Sequence, residues 1–533
     1  MSRLPVAVVA ACLLTLAAPV RAATKARNPS PAVALPPGFD AYVTQVMNAF
    51  EVPGLALTVV KDGAVVLAKG YGVRKLGETT PVDAQTRFGI ASNTKVFTAT
   101  ALGLLVEEGK IEWDAPVVRY LPEFQMWDPW VTRELTVRDL LVHRSGLGLG
   151  AGDLLWWPPS TYDRKEIARR LRFLKPATSF RSAYAYDNVL YLVAGQVIEA
   201  VSGQSWEDFM TTRILAKVGM TGSNVTHSGA LRGSNVAAPH ARIDGVVRPV
   251  DPFASDNTNP AGGINSSAQD MARWLLVLLN DGRLGDGSRL FSEATSTNLA
   301  AIVTPIPIAD PPAELAAVRP QFLGYGLGLG ISDYRGHKMV RHSGGLPGYV
   351  SHVLRVPDVG LGISVLTNQE ADAAYGAIIY ALVDYFVKAP RTDWLPAFQR
   401  ADVREKEKTA EAERKTQATR NTASRPSLPP EGYAGSYRDD WYGEVGIALE
   451  KGKLVMRFGH TPGLVGDLEH WQYDTFVARW RDRELRADAF VSFALGPSGT
   501  VDQVKMRAVS PATDFSFDFH DLLLRPVPTP ARP

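Results

Sequence analysis

Residues 91–109 read ASNTKVFTATALGLLVEEG, in which Ser92 and Lys95 stand three positions apart at the start of an apolar run. The apolar residues that follow predict a buried helix that ends near Gly109. Residues three positions apart share one face of a helix, so the Lys95 amine can reach the Ser92 hydroxyl. Burial disfavours the ammonium form and lowers its pKa, which lets Lys95 accept a proton. The helix N-terminus also favours a developing oxyanion.

A serine at a helix start followed by a lysine is common, and by itself it is usually a structural cap. A second segment, Tyr184-Ala185-Tyr186-Asp187-Asn188, directly precedes an amphipathic helix that ends at Gly203. On such a loop the Tyr186 phenol can shuttle the proton of a nucleophile. The Asn188 amide can hold a substrate carbonyl or orient Lys95. The alternative is an asparagine helix cap beside a core tyrosine.

A third segment, Val340 to Gly345, contains His342-Ser343-Gly344 and reads as the edge of a strand beside a glycine-rich loop. Glycines at an edge let the backbone approach a substrate closely, and the Gly345 N–H could join the Ser92 N–H in an oxyanion hole. His342 could donate to a substrate carboxylate or to the Tyr186 oxygen. The alternative is a packed edge histidine.

The rest of residues 36–395 predicts a single α+β catalytic domain. A helix is expected over residues 39–50, followed by a hairpin of residues 55–60 and 64–68 that turns at Asp62-Gly63. Helices alternate with loops up to about residue 370. Strands return at residues 353–356 and 361–366, and a closing helix is expected over residues 375–387. Sheet at both ends with helices between is typical of an α+β fold.

The composition changes after this domain. Residues 396–430 are rich in charge and end in prolines, which predicts a linker that is helical at first and then extended. Residues 431–527 alternate short β-prone runs with turns and predict a small all-β barrel or sandwich. The expected strands are residues 445–449, 454–458, 475–480, 490–495 and 501–507.

In order and context, Ser92-x-x-Lys95, Tyr186-x-Asn188 and His342-Ser343-Gly344 resemble the SxxK, YxN and KTG-like motifs of class C β-lactamases and penicillin-binding proteins. Residues 135–147 and 260–266 also match, and the resemblance spans roughly residues 39 to 390. It implies an antiparallel sheet flanked by helices plus a helical lobe, with the site between them. It further implies Ser92 as nucleophile, Lys95 and Tyr186 as the base system, and no metal or cofactor. Residues 431–527 resemble the lipocalin-like C-terminal domain of some family peptidases.

One departure concerns the substrate. The third motif begins with His342 where β-lactamases and transpeptidases of this type usually have lysine, so a fixed cation for a β-lactam carboxylate is not assured. Relatives with histidine there are often esterases, D-amino-acid peptidases or amidases. A small amide or peptide substrate is therefore expected, including one with D- or other non-standard residues. A carboxylesterase, a β-lactamase, a penicillin-binding sensor without turnover and a protein that keeps the fold without chemistry are the alternatives.

Other classes of function lack their sequence signals. There is no Gly-x-Ser-x-Gly elbow, no phosphate-binding loop and no His-Glu-x-x-His, so no metal or cofactor is expected. A formal charge of +2 gives no long-range attraction for nucleic acid or an anionic membrane. The doublet Trp156-Trp157, with Tyr162, could wall a substrate cleft or simply pack in the core.

The N-terminus predicts export. Arg3, an apolar run to Val20 and the small-residue pattern before Ala23 are typical of a signal peptide over residues 1–22. A lipoprotein anchor at Cys12 is the lesser alternative. Because Cys12 is the only cysteine, cleavage would leave a mature chain without thiols or a membrane segment. A periplasmic or secreted protein is expected, and its oligomeric state is left open.

Overall fold

The computed structural model describes residues 33–230 and 233–528. The predicted signal peptide and Cys12 lie outside the described residues. The helices are α1 Phe39–Ala49, α2 Lys95–Glu107, α3 Pro129–Glu134, α4 Arg164–Arg170, α5 Val189–Ser202, α6 Trp206–Phe209, α7 Ala216–Val218, α8 His227–Ala230, α9 Asn259–Gly262, α10 Ala268–Leu279, α11 Glu293–Leu299, α12 Asp372–Phe386 and α13 Trp394–Ala418.

Two sets of strands follow in chain order. The first twelve are β1 Gly54–Lys61, β2 Ala64–Gly72, β3 Phe88–Gly89, β4 His240–Ile243, β5 Val246–Pro249, β6 Asn265–Ser266, β7 Thr304–Pro305, β8 Leu323–Tyr325, β9 Gly330–Tyr334, β10 His337–Leu346, β11 Tyr349–Val356 and β12 Leu361–Thr367. The last eight are β13 Gly435–Asp439, β14 Gly443–Glu450, β15 Lys453–Phe458, β16 Val465–Gln472, β17 Thr475–Trp480, β18 Ala489–Leu495, β19 Val501–Ala508 and β20 Leu523–Pro526.

An eight-stranded sheet joins the two ends of the catalytic domain. Its order is β2-β1-β12-β11-β10-β9-β8-β7, and the N-terminal strand β1 pairs antiparallel with β12 from Leu55 opposite Thr367 to Lys61 opposite Leu361. Strands β11 and β12 are buried along their whole length, because α10 and α12 pack on the sheet. The predicted α+β class, with a sheet at both ends and helices between, is confirmed.

The helical lobe surrounds α2. This helix is buried at nearly every position, since it packs against α5, α9 and α11. Phe97 on α2 stacks on Trp274 of α10, with ring centroids 4.1 Å apart and planes 19° from parallel. Burial on all sides fixes the helix that carries Lys95.

The segment predicted as a linker, residues 396–430, starts inside the long helix α13. Its first residue, Trp394, is buried, and its Nε1 donates to Asp384 Oδ2 at 2.8 Å on α12. Phe398 packs against Gly376, where a Cβ atom would come within 2.5 Å of its ring. The first turns of α13 are thus part of the packing of the catalytic domain. Irregular chain follows from residue 419 to the barrel.

The C-terminal strands β13 to β20 form a closed barrel in which consecutive strands pair antiparallel and β13 meets β20. The expected all-β domain is confirmed as a barrel with up-and-down order, which is the lipocalin arrangement. Aromatic rings fill its interior: Tyr433 packs on Phe493 at 4.9 Å and Trp480 stacks on Phe519 at 5.8 Å. Eight strands leave an interior about wide enough for side chains.

Three barrel strands, β13, β16 and β20, were not predicted from the sequence. Each contains few β-branched or aromatic residues, and β20 ends in Arg525-Pro526, so the β-prone pattern is weak there. From Pro36 onwards the barrel and the catalytic domain form one compact unit. Among the described residues, helices of sufficient length and apolarity to cross a membrane are not found.

We expect Phe97→Ala to lower the free energy of unfolding by about 3–5 kcal/mol, because it removes a fully buried ring that stacks on Trp274. Urea denaturation measures this change. Val403→Ala on α13, where the side chain is half exposed, should cost within about 0.5 kcal/mol. Equal losses in the two variants would contradict the packing described.

Candidate active site

Ser92 lies at a strained turn rather than inside a regular helix. Residues Ala91–Thr94 form a 3₁₀ turn that leads into α2, whereas the sequence predicted that the helix begins at Ser92. Ala91 has φ of 48°, in the left-handed region that costs a residue with a side chain roughly 1 kcal/mol. In a 3₁₀ turn, residues three apart eclipse one another, which places Ser92 directly over Lys95.

The Lys95 amine has three oxygen neighbours. Its Nζ lies 3.0 Å from Ser92 Oγ, 2.7 Å from Asn188 Oδ1 and 3.1 Å from the Ala261 carbonyl oxygen. A neutral amine has two N–H donors and one lone pair. Asn188 and Ala261 accept the two N–H groups, so the lone pair faces the Ser92 hydroxyl. This geometry suits proton transfer from Ser92 to Lys95.

Burial brings the pKa of Lys95 down to about 7, against the charges of Asp153 and Asp187, which raise it. The side chain is fully buried, while Ser92 beside it is partly exposed to the cleft. At neutral pH a substantial fraction of the amine is therefore uncharged. Lys95 meets the requirement for a general base, a pKa near the working pH.

Tyr186 lies over the same amine, with the Lys95 Nζ 4.9 Å from its ring centroid. Burial raises the pKa of Tyr186 well above its ordinary value, although contact with the Ser92 side chain acts in the opposite direction. The phenol is therefore protonated at neutral pH. Of the predicted base pair, Lys95 is the group that can accept a proton, and Tyr186 can relay one.

Asn188 orients Lys95 and is itself oriented by a carboxylate. Its Nδ2 donates to Asp153 Oδ2 at 2.8 Å, while its Oδ1 accepts from Lys95. Because a carboxylate only accepts and a lysine amine donates, the direction of the amide is fixed. Of the two roles predicted for Asn188, the structure favours orientation of Lys95.

His342 does not take the roles predicted for it. Its Nδ1 lies 2.5 Å from the Ser343 carbonyl oxygen, which can only accept, so Nδ1 carries the proton. The other nitrogen, Nε2, then accepts from Tyr325 OH at 2.7 Å. Both ring nitrogens are thus engaged, and neither remains for Tyr186 or for a substrate carboxylate. Burial, together with a smaller contribution from the nearby Lys95, lowers the pKa of His342 to about 3, so the ring is neutral. His342 is the packed edge histidine.

Gly344 and Gly345 bring the end of β10 up to Ser92. Residues 342–346 of β10 pair with β11 alone, since β9 pairs only as far as Arg341. A Cβ atom on Gly344 would come within 2.4 Å of the Ile90 oxygen and 2.8 Å of the Ser92 nitrogen, whereas one on Gly345 would meet open space. The Gly345 N–H remains a predicted partner of the Ser92 N–H in an oxyanion hole.

Two buried carboxylates next to Lys95 were not predicted from the sequence. Asp153 and Asp187 are both fully buried, and burial raises the pKa of each to about 7. Asp187 accepts from Ser145 Oγ at 3.2 Å, and its N–H donates to His143 Nδ1 at the same distance. The available signal was a lone acidic residue within an apolar stretch, as in Gly152-Asp153-Leu154-Leu155, which predicts a buried and bonded carboxylate.

The site opens into a cleft of about 800 Å³. Lys95 lies beneath it, and its lining includes the other predicted residues: Ser92, Tyr186, Asn188, His342, Gly344 and Gly345. Trp156 and Trp157 line it and are also buried, so both interpretations of the doublet apply. Tyr162 follows the second interpretation: it is buried, stacks on His460 of the barrel at 4.1 Å and donates to the Tyr442 carbonyl.

Two segments outside the core of the catalytic domain also line the cleft. Phe398 and Asp402 come from α13, and Phe515 and Ser516 come from the loop between β19 and β20 of the barrel. Sequence reasoning placed all four in a linker or a separate domain. Within the described part of the chain, groups of three or more His, Cys, Asp or Glu side chains that could hold a metal ion are not found.

A family model described as β-lactamase matches residues 39–385, well over half of the chain. The chain belongs to the β-lactamase family. The resemblance drawn from the three motifs is confirmed. A second model, described as a domain of unknown function (DUF3471), matches residues 419–526, which contain the barrel of this β-lactamase-family chain.

Named relatives include a hydrolase and a penicillin-binding protein, which supports hydrolase activity. Unguisins hydrolase ungD of Aspergillus violaceofuscus is 27% identical over 493 residues, which cover 86% of this chain and 86% of that protein. Penicillin-binding protein 4 of Amycolatopsis lactamdurans is 30% identical over 341 residues, 62% of this chain and 83% of that protein.

Solved structures share the fold. The octameric penicillin-binding protein homologue from Pyrococcus abyssi has a TM-score of 0.58 and 22% identity, and the match covers 92% of this chain and 99% of that chain. A class C β-lactamase mutant has a TM-score of 0.54 and 18% identity over 66% of this chain and 96% of that chain. At these identities the likeness is one of fold.

The first prediction for the site concerns pH. We expect the rate at which a fluorophosphonate labels Ser92 to rise roughly tenfold per pH unit below 7 and to level off above it, as Lys95 loses its proton. Lys95→Arg, which stays charged, should label roughly 10²–10⁴-fold more slowly at every pH. Intact-mass spectrometry over time gives both rates. A labelling rate that rises only around pH 10 would show that burial does not lower the pKa of Lys95.

The second prediction concerns Gly344. Gly344→Ala places a methyl group against the Ile90 oxygen and the Ser92 nitrogen, so it should slow labelling of Ser92 by roughly 10²-fold or more. Gly446→Ala is the matched control, since that strand glycine of the barrel faces open space. Wild-type labelling in Gly344→Ala would show that this close approach is not required.

Proposed function

We propose that this serine hydrolase cleaves an amide or peptide bond through an acyl-enzyme on Ser92. The observation that carries the proposal is the Lys95 amine, whose two N–H groups are accepted by Asn188 and Ala261 while its lone pair faces Ser92 Oγ at 3.0 Å. A serine hydroxyl needs an adjacent base to attack a carbonyl. Lys95 is such a base, held in place without contact with bulk water.

The steps follow from this geometry. Ser92 Oγ attacks the substrate carbonyl carbon as its proton passes to Lys95, and the carbonyl oxygen gains the negative charge. Backbone N–H groups of Ser92 and Gly345 stabilise that oxyanion. The proton then passes, with the neutral Tyr186 phenol as relay, to the leaving nitrogen as its bond to carbon breaks. A water molecule then attacks the carbonyl carbon of the ester as its proton passes to Lys95. The bond from that carbon to Ser92 Oγ breaks, Ser92 regains a proton, and the acid is released.

The charge of the cleft supports a substrate without a carboxylate beside the scissile bond. Asp372 and Asp514 line the cleft against the guanidinium of Arg341, while Asp402, which also lines it, pairs with Lys406 at 2.6 Å. His342 is neutral because both its nitrogens are engaged. An excess of negative charge repels an anionic ligand and favours a neutral or cationic one. This supports an amide or peptide over a penicillin.

The size and aromatic lining of the cleft support a substrate of several residues. About 800 Å³ suffices for several residues of a peptide, and Trp156, Trp157 and Phe515 offer apolar contact. The unguisins hydrolase that is 27% identical over 86% of both chains supports hydrolysis as the reaction. We include peptides with D- or other non-standard residues in the proposed substrate class.

We also propose that the enzyme acts in the periplasm or outside the cell, as its N-terminus predicts.

The test incubates the purified protein with matched L- and D-aminoacyl p-nitroanilides, a p-nitrophenyl ester and benzylpenicillin. We expect turnover of an anilide, a transient adduct on Ser92 by intact mass, and a loss of roughly 10³-fold or more in Ser92→Ala. Ser343→Ala, which removes another hydroxyl that faces the cleft, should still form the adduct.

Each other result points to a named alternative. Turnover of the ester alone would make the protein an esterase, and hydrolysis of benzylpenicillin would make it a β-lactamase. A stable penicillin adduct without turnover would make it a sensor. Unchanged anilide turnover in Ser92→Ala would overturn the proposed mechanism.

A further inference from the structure

The loop between β19 and β20, residues 509–522, leaves the barrel and reaches the catalytic domain. Its Asp518 carboxylate accepts hydrogen bonds from the backbone N–H groups of Gly152 and Leu154, at 2.6 and 3.1 Å. Asp518 is fully buried, so water does not compete for these bonds. The loop is thereby fastened to the segment that carries Asp153.

One side chain of this loop, Ser516, joins the hydrogen bonds beneath Ser92. Ser516 Oγ donates to Asp153 Oδ2 at 2.9 Å, and Asn188 Nδ2 donates to the same oxygen at 2.8 Å. Asn188 Oδ1 accepts from Lys95 Nζ at 2.7 Å, and that nitrogen lies 3.0 Å from Ser92 Oγ. The four supporting side chains are all buried. A continuous path of hydrogen bonds therefore connects the barrel with the Ser92 hydroxyl.

We propose that Ser516, supplied by the C-terminal barrel, is a positioning residue for the general base. Its hydroxyl holds the Asp153 carboxylate, Asp153 fixes the Asn188 amide, and Asn188 fixes the Lys95 amine opposite the nucleophile. The inference rests on the proposed function, because a base is required only if Ser92 is acylated. It makes the barrel a contributor to the catalytic machinery.

The charge state of Asp153 explains how a remote hydroxyl acts on the base. Three donors converge on this carboxylate: Ser516, Asn188 and Trp156, whose Nε1 lies 2.9 Å from Oδ1. These three donors favour the ionised form, because a protonated carboxyl group would also have to place a proton of its own among them. Burial raises the pKa of Asp153 to about 7, and the hydrogen bond from Ser516 opposes that rise. Loss of the hydroxyl therefore favours the neutral acid.

The sign of the effect on Lys95 follows from the groups around it. Burial lowers the pKa of Lys95, and the charges of Asp153 and Asp187 oppose this. Asp518 faces Asp153 from the barrel loop. The other titratable groups around the amine are neutral at pH 7: Tyr186, Tyr191, His143 and His342. With less charge on Asp153, Lys95 loses its proton at a lower pH.

The experiment measures the second-order rate of Ser92 labelling by a fluorophosphonate from pH 5 to 9, with the full chain. In Ser516→Ala we expect a plateau rate roughly tenfold below wild type. The midpoint of the acidic limb should move to lower pH by roughly half a unit. Asp153→Asn should move it in the same direction. The double variant should show no further shift, because both changes act through one carboxylate.

Two further variants guard against a merely structural effect. Thr513→Val removes a hydroxyl of the same loop that has no hydrogen-bond partner among the described residues, so plateau and midpoint should both match wild type. Ser516→Cys keeps the shape of the side chain, with a larger atom that is only a weak donor. If Ser516→Ala does not fold, the plateau and midpoint of Ser516→Cys are compared with wild type instead. Thermal melting monitors folding in each variant.

The possible results distinguish a failure of the role proposed for Ser516 from a failure of the role proposed for Ser92. If Ser516→Ala and Ser516→Cys lower the plateau but leave the midpoint in place, Ser516 is structural and the inference is overturned while Ser92 stands as nucleophile. If wild type is not labelled at Ser92 at any pH, the proposed function fails, and the inference fails with it.

Discussion

The burial of one amine governs the architecture of this hydrolase. An ammonium group costs several kcal/mol to remove from water, so a fully buried lysine gives up its proton unless neighbouring charges compensate. Lys95 is neither permanently charged nor permanently neutral, because the charges of Asp153 and Asp187 partly offset the effect of burial on its pKa. That balance needs α2 enclosed on all sides and every polar neighbour held in a fixed direction. The helical lobe provides the enclosure, and Asn188 with the Ala261 carbonyl provides the direction.

The nucleophile's position depends on the same enclosure. The 3₁₀ turn that brings Ser92 over Lys95 begins at Ala91 in a left-handed conformation, which surrounding packing has to stabilise. The end of β10 approaches so closely that only a glycine fits at position 344. Sheet, turn and helix therefore meet at Ser92 with little freedom to adjust, as expected of a site that must hold a reacting group within a fraction of an ångström.

Spacing along the sequence is most informative where the contacts are local. Ser92 and Lys95 share a turn, and Tyr186 and Asn188 share a loop, so spacing alone places each pair, and hydrophobic periodicity predicts the α+β core. It failed where a side chain's partners come from distant segments. The role of His342 depends on Tyr325, which no spacing rule connects to it. Strands β13, β16 and β20 lack a clear apolar alternation, and only closure of the barrel reveals them.

The barrel loop that delivers Ser516 and Asp518 has a consequence for how this chain can change over generations. Recombination often exchanges whole domains between relatives, and the irregular chain after α13 is a natural crossover point. A barrel acquired in that way would bring its own loop against Gly152 and Leu154, with a different group opposite Asp153. The incoming domain would fold, yet Asp153 would lose the hydrogen bond from Ser516, and with it Asn188 and Lys95 would be held less firmly. The two halves of this protein are therefore expected to be inherited together, and the residues on either side of their contact to change in concert.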